Sequence, residues 1–123
     1  MPVVENIAQD FLLENNEFKP GTILNGPRKG GKVAPNSITL INYERSKPTE
    51  HPFPVSIHIN NSAADTSKAH VIISLDRGAK REVRIEQNGR LSGTRKLNQI
   101  EIERIMPHIK RLTILLAKHT TQN

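Results

Sequence analysis

The sequence has 123 residues, no cysteine and a formal net charge of +6 at pH 7. A chain of this length predicts one domain with a modest core, and the lack of cysteine excludes disulfides, thiolate nucleophiles and cysteine-bound metal. The sequence has neither a basic start followed by an apolar run nor a stretch of about 18 apolar residues, so we expect no signal peptide, no membrane partner and a cytoplasmic location.

Residues 1–18 predict an N-terminal helix. This segment has four acidic residues and no Lys or Arg, and its apolar residues recur at helical spacing. They are Val4, Ile7, Ala8, Phe11 and Leu12. Residues 19–36 have four basic residues, no acid, three prolines and four glycines, which predicts an irregular basic loop, with a short edge strand at 22–24 as an alternative.

Residues 26–32 match the first seven positions of the phosphate-binding P-loop pattern. The eighth position is Val33 where the pattern needs Ser or Thr for magnesium, and Pro35 prevents a helix from following. We therefore expect no nucleotide hydrolysis and no cofactor. The loop is either a solvated segment without a binding role or a binding site for phosphates or acidic side chains. Its basic residues are Arg28, Lys29 and Lys32.

Residues 37–95 predict an antiparallel sheet of four or five sequential strands. Apolar and polar residues alternate in short segments separated by turn residues, and sequential strands with short connections favour a meander. In the last hairpin, a three-residue loop at 87–89 pairs Ile85 with Leu91 and keeps the apolar face continuous. That loop needs a positive φ at Gly89.

The same alternation brings two histidines close together. If Ile59 pairs with Val71, Asn60 lies opposite His70, and His58 is one diagonal step away on the same face. Two imidazoles are the beginning of a metal site or a pH-sensitive pair, but no further Cys, His or carboxylate completes a ligand shell. We predict surface histidines here and at His51, His108 and His119, and no metal.

Residues 97–119 predict a long amphipathic helix. Asn98 and Glu101 have the spacing of a capping box. Pro107 predicts a kink or two abutting helices. Ile114 and Leu115 widen the apolar stripe, so a homodimer through this helix is a further prediction. The stripe itself comprises Ile102, Ile105, Met106, Ile109, Leu112 and Leu116.

These elements together predict a single α+β domain. Its antiparallel four- to five-stranded meander has the C-terminal helix packed on one face, and the short N-terminal helix lies at an edge or on a partner.

The sequence predicts no enzyme and no catalytic residues. It has no Gly-x-Ser-x-Gly elbow and no spacing that pairs two carboxylates in an apolar pocket. Basic residues instead concentrate at 77–96, with seven bases against two acids. We predict a non-enzymatic regulator or inhibitor that binds an acidic surface of another protein through the following residues: Arg28, Lys29, Lys32, Arg77, Lys80, Arg81, Arg84, Arg90, Arg95 and Lys96.

The alternative is a nucleic-acid-binding accessory protein that recognises phosphate. Only three Phe, one Tyr and no Trp are available to stack on bases. Binding of nucleic acid would therefore depend on phosphate contacts and would weaken with salt. A basic surface that serves only solubility is the third interpretation.

Overall fold

The structure is a computed structural model that describes residues 3–24, 37–61, 68–77 and 81–120. Within these ranges the chain forms two helices, six strands and a short 3-10 turn. The helices are α1 (Val3–Glu14) and α2 (Gln99–His119), and the 3-10 turn is Thr94–Lys96. The strands are β1 (Phe18–Leu24), β2 (Ser37–Asn42), β3 (Ser56–Asn61), β4 (Ala69–Ser74), β5 (Glu82–Ile85) and β6 (Leu91–Ser92).

The strands form one antiparallel meander in the order β1 to β6, which confirms the α+β fold. The sheet has six strands rather than four or five because β1 occupies the end of the predicted helix and the start of the predicted loop. The helix ends at Glu14, where the Asn15 side chain donates to the carbonyl of Phe11. Phe18 then enters the core opposite Asn42.

Pro20 and Gly21 belong to the predicted loop, yet they lie within β1. This strand is at an edge of the sheet and pairs on one side only, so the missing N–H of a proline is tolerated there. Its register also shifts between Pro20 and Ile23. The predicted loop at 26–32 lies outside the described residues.

The predicted registers of the hairpins are confirmed. Ile85 pairs with Leu91, and Gly89 has φ 87°. Asn60 pairs with His70 and Ile59 with Val71, as the alternation requires.

Both helices cover the same face of the sheet. The apolar side of α1 is buried in the core that α2 shares, over β2 and β3, whereas α2 lies over β4 and β5. The helices run antiparallel, because Asp10 bonds to His119 while Glu14 pairs with Arg111. The expectation that α1 lies at an edge is therefore wrong. Four of its residues are buried in this position: Val4, Ile7, Ala8 and Phe11.

Helix α2 continues through Pro107, so the prediction of two abutting helices is wrong. Pro107 is exposed, and the carbonyl that its ring displaces belongs to Glu103, which is also exposed. The loss of about 3 kcal/mol is offset by burial of the apolar side chains of α2, each contributing about 1.5–3 kcal/mol. These buried residues are Ile105, Ile109, Leu112, Leu115 and Leu116.

Candidate functional site

The second face of the sheet is the first candidate surface. No helix or strand of the described ranges packs on it, since α1 and α2 share the other face. We call it the open face. Its side chains in the central strands and β5 alternate with the buried apolar ones, and they are mostly polar. They are Ser37, Thr39, Ile41, Ser56, His58, Asn60, His70, Ile72, Ser74, Glu82 and Arg84.

His58 lies in the middle of the open face and contacts three hydroxyl groups. Its Nδ1 is 3.1 Å from Thr39 Oγ1, and its Nε2 is 3.0 Å from both Ser56 Oγ and Ser74 Oγ. We call these four residues the hydroxyl cluster. It joins three strands, β2, β3 and β4, through side chains alone.

The strand register builds the hydroxyl cluster. Thr39 lies directly opposite His58, and Ser56 directly opposite Ser74. Ser56 and His58 share a face because they are two residues apart in one strand. Ser74 is therefore the diagonal neighbour of His58, at a distance that a histidine ring spans.

Burial lowers the pKa of His58, and the negative charge of Glu82 opposes that effect. The imidazole is therefore neutral near pH 7, with one N–H and one lone pair. A serine beside a neutral imidazole resembles the start of a nucleophilic site. However, Nδ1 faces a threonine hydroxyl rather than the carboxylate that orients such a base, and Ser56 and Ser74 are only 8% and 5% exposed.

His70, His108 and His119 are less exposed than predicted, whereas His51 is exposed, as predicted. His70 is half-buried, and burial together with the charge of Arg84 lowers its pKa. His108 is not a surface residue, because its ring packs edge-on against Phe11 and Phe18 at centroid distances of 5.7 and 5.4 Å. His119 bonds to Asp10 at 2.7 Å. Among the residues described, no group of three metal-ligating side chains comes together.

The second candidate surface is a cluster of basic residues where β5 begins. Arg81 donates to the carbonyl of Lys96 at 3.0 Å, pairs with Glu101 at 2.5 Å and approaches Asp76 at 4.0 Å. It thus ties the β4–β5 turn, the 3-10 turn and the first turn of α2 together. The hydrogen bond from Arg81 also lowers the pKa of the Glu101 carboxyl.

Three exposed basic residues lie on the segments that Arg81 joins: Arg77, Arg95 and Lys96. We call these three, with Arg81, the basic corner. Arg81 itself is largely engaged inside the protein rather than presented to a partner, a role that charge counting in the sequence does not reveal. Its contacts bring together the segments that contain Asp76, Lys96 and Glu101.

Of the remaining predicted basic residues, the two that the structure describes do not join the basic corner. Arg84 projects from the open face and pairs with Glu86 at 2.5 Å. Arg90 lies at the opposite end of β5, where its carbonyl accepts from Glu86. Arg28, Lys29, Lys32 and Lys80 lie outside the described residues.

The chain matches no family model, no curated protein and no solved structure in the comparisons made. Neither helix in the described part of the chain is long and apolar enough to cross a membrane.

Sequence reasoning found His58 but missed its hydroxyl partners. It paired His58 with His70, whereas the ring turns toward the serines on the other side. The signal that could have found them is the Ser56-x-His58 alternation combined with the register that places Thr39 and Ser74 beside it. Only the direction of the side chain remained undetermined.

Proposed function

We propose that this protein is a non-enzymatic interaction protein, a small regulator or inhibitor that binds an acidic surface of another protein through the basic corner. The observation that supports this proposal is the arrangement around Arg81. Three exposed basic residues lie on two segments that Arg81 contacts: Arg77 follows Asp76, and Arg95 and Lys96 belong to the 3-10 turn.

A fixed arrangement of charges favours specific recognition. Binding costs less when the charged groups are already positioned by the fold, because less side-chain and loop entropy is lost on association. Clustered positive charge also accelerates encounter with an acidic partner. Arg95 and Lys96 gain this rigidity from the 3-10 turn, whose carbonyl at Lys96 is held by Arg81.

Phosphate-directed binding of nucleic acid is the competing function. The same charges attract phosphates, but the aromatic side chains needed for base stacking are mostly occupied. Phe11 and Phe18 are buried, and Phe53 is half-buried beneath the Arg104 guanidinium, 5.2 Å from its ring centroid. Tyr43 is the exposed aromatic residue of the described ranges, at 54%.

The test compares two charge-reversal variants by fluorescence anisotropy with labelled poly-glutamate and a labelled single-stranded oligonucleotide. One variant carries Arg77→Glu, Arg95→Glu and Lys96→Glu. Its control changes net charge equally at exposed positions elsewhere, with Lys19→Glu, Lys47→Glu and Lys110→Glu. We expect the first variant to weaken poly-glutamate binding more than tenfold and the control to weaken it only slightly, since only the first removes the basic corner.

Equal weakening in both variants would attribute binding to net charge and reject the basic corner. Stronger binding to the oligonucleotide than to poly-glutamate, falling steeply with salt, would replace this proposal with nucleic-acid binding. A third variant with Arg28→Glu, Lys29→Glu and Lys32→Glu measures how much the loop at 26–32 contributes to the affinity for poly-glutamate. If the loop contributes, this variant loses affinity without a lower melting temperature.

A further inference from the structure

The hydroxyl cluster has more hydrogen-bond donors than its own members use. Thr39, Ser56 and Ser74 have three hydroxyl protons, whereas a neutral imidazole offers one lone pair. At least two hydroxyl protons therefore have no acceptor on His58. Two serine oxygens also compete for the same nitrogen, Nε2, at 3.0 Å each. Within the described ranges, no other side-chain hydrogen bond of these three hydroxyls is seen.

Protonation of His58 enlarges this surplus. An imidazolium has no lone pair, so both ring nitrogens donate to hydroxyl oxygens and all three hydroxyl protons become available. The cluster then presents three polarised O–H donors beside one positive charge. These donors suit a carboxylate or a phosphoryl group, because hydrogen bonds to a charged acceptor are stronger than those between neutral groups.

We propose that the hydroxyl cluster on the open face is a binding site for an oxyanion, either a phosphoryl group or a carboxylate, and that it takes up one proton at His58 when the anion binds. No described helix or strand packs over the site, and an anion reaches its half-buried members Thr39 and His58 first, since Ser56 and Ser74 are only 8% and 5% exposed. This inference is independent of the proposed docking through the basic corner, which involves other residues.

Neighbouring charges explain why a proton must accompany the anion. Glu82 lies opposite Ser74 and carries a negative charge that acts on His58. An anion beside a neutral His58 would therefore meet repulsion from Glu82 without compensation, whereas imidazolium offsets both charges. The positively charged side chain among the described residues of this face is Arg84, which acts on His70 and is paired with Glu86.

The test follows each histidine by NMR, in long-range proton–nitrogen spectra between pH 5 and 8. The anions are sulfate, a phosphoryl analogue whose charge is constant over this range, and acetate, each compared with sodium chloride at equal ionic strength. At an anion concentration about ten times its Kd, proton linkage raises the apparent pKa of His58 by about one unit. His51, exposed in the β2–β3 loop, is the internal control and should not move.

Three results would support the site together. The pKa rise at His58 occurs with sulfate, acetate or both, it disappears in Thr39→Val and Ser74→Ala, and it persists in the charge-reversed basic-corner variant. A response to sulfate alone identifies a phosphoryl ligand, and a response to acetate alone identifies a carboxylate.

The inference is overturned if neither anion moves His58, or if His51 moves as much. It also fails if the shift survives loss of both hydroxyls. The responses of His58 and His51 to the two anions are measured in the unmodified protein. The inference can therefore be overturned even if a variant fails to fold.

Discussion

Two glycines of the last hairpin adopt positive φ in very different surroundings. Gly89 has φ 87°, and a Cβ added there would meet only Thr113 Cγ2 at 3.4 Å. Gly93 has φ 91°, and a Cβ there would overlap the carbonyl oxygen of Glu82. Gly93 immediately precedes the 3-10 turn, so its close approach to β5 also positions the basic corner.

This difference predicts unequal effects of alanine. Gly89→Ala should lower the free energy of unfolding by about 1–2 kcal/mol, the cost of a left-handed conformation with a side chain. Gly93→Ala adds a backbone overlap of about 1–3 kcal/mol, for a total of about 2–5 kcal/mol. Urea denaturation of the two variants measures the difference, and equal losses would mean that the contact with Glu82 is not tight.

At the scale of elements, both edges of the sheet are poor templates for another strand. β1 has Pro20 and a register shift along its length, and β6 is only two residues long. Proline, irregular register and short length are the means by which edge strands avoid pairing with other chains. A partner is therefore expected to contact side chains of the basic corner or open face rather than extend the sheet.

The start of α2 is fixed by a capping box that also contacts the basic corner. Asn98 Oδ1 accepts from the Glu101 amide at 2.9 Å, and Glu101 Oε1 accepts from the Asn98 amide at 3.1 Å. Because Glu101 also pairs with Arg81, the cap and the corner share one carboxylate.

Removing the cap should destabilise the protein by a measurable amount. Asn98→Ala leaves a helical N–H without its acceptor and should cost about 0.5–2 kcal/mol, whereas Asn98→Ser keeps a capping oxygen and should cost little. Thermal or urea unfolding of the pair checks this. A serine variant as unstable as the alanine variant would show that the helix start depends on something else.

For the whole molecule, stability depends on histidines that the fold keeps neutral. Burial lowers the pKa of His58, His70 and His108. The unfolded chain therefore binds protons at these positions before the folded one does. The contribution of these neutral histidines to the free energy of unfolding is fully present above about pH 6.5, the pKa of histidine in the unfolded chain. It is lost as the pH falls below this value toward the lowered pKa values of the folded protein.

His108 offers the sharpest test, since its ring packs edge-on against two phenylalanine rings. His108→Phe preserves an aromatic ring there but cannot be protonated. We expect the urea midpoint to fall less between pH 7.5 and pH 5 in this variant than in the unmodified protein. The matched control is His51→Asn, at an exposed position, which should retain the full decrease. An identical decrease in His108→Phe would exclude His108 as a contributor.

Local sequence patterns predicted much of the fold. Alternation over two residues located the strands from β2 to β5, and the position of Gly89 determined the register of the last hairpin, because a one-residue slip would turn the apolar face outward. Predictions failed where local signals conflicted with packing. Pro20 and Gly21 contributed to a predicted loop, and Pro107 to the alternative of two abutting helices. Strand β1 and helix α2 nevertheless continue through these residues, because edge position and core burial outweigh the local cost.

The sequence by itself determined the α+β fold, the order of the strands and the capped start of α2, because each depends on contacts between residues near in the chain or on strict periodicity. Only the tertiary structure decided that Arg81 joins three segments, that His58 turns toward Ser56 and Ser74, and that His108 packs against Phe11 and Phe18. These contacts join residues distant in sequence, or depend on a side-chain rotamer that neighbouring strands select. The two candidate surfaces thus arise from packing that no single segment encodes.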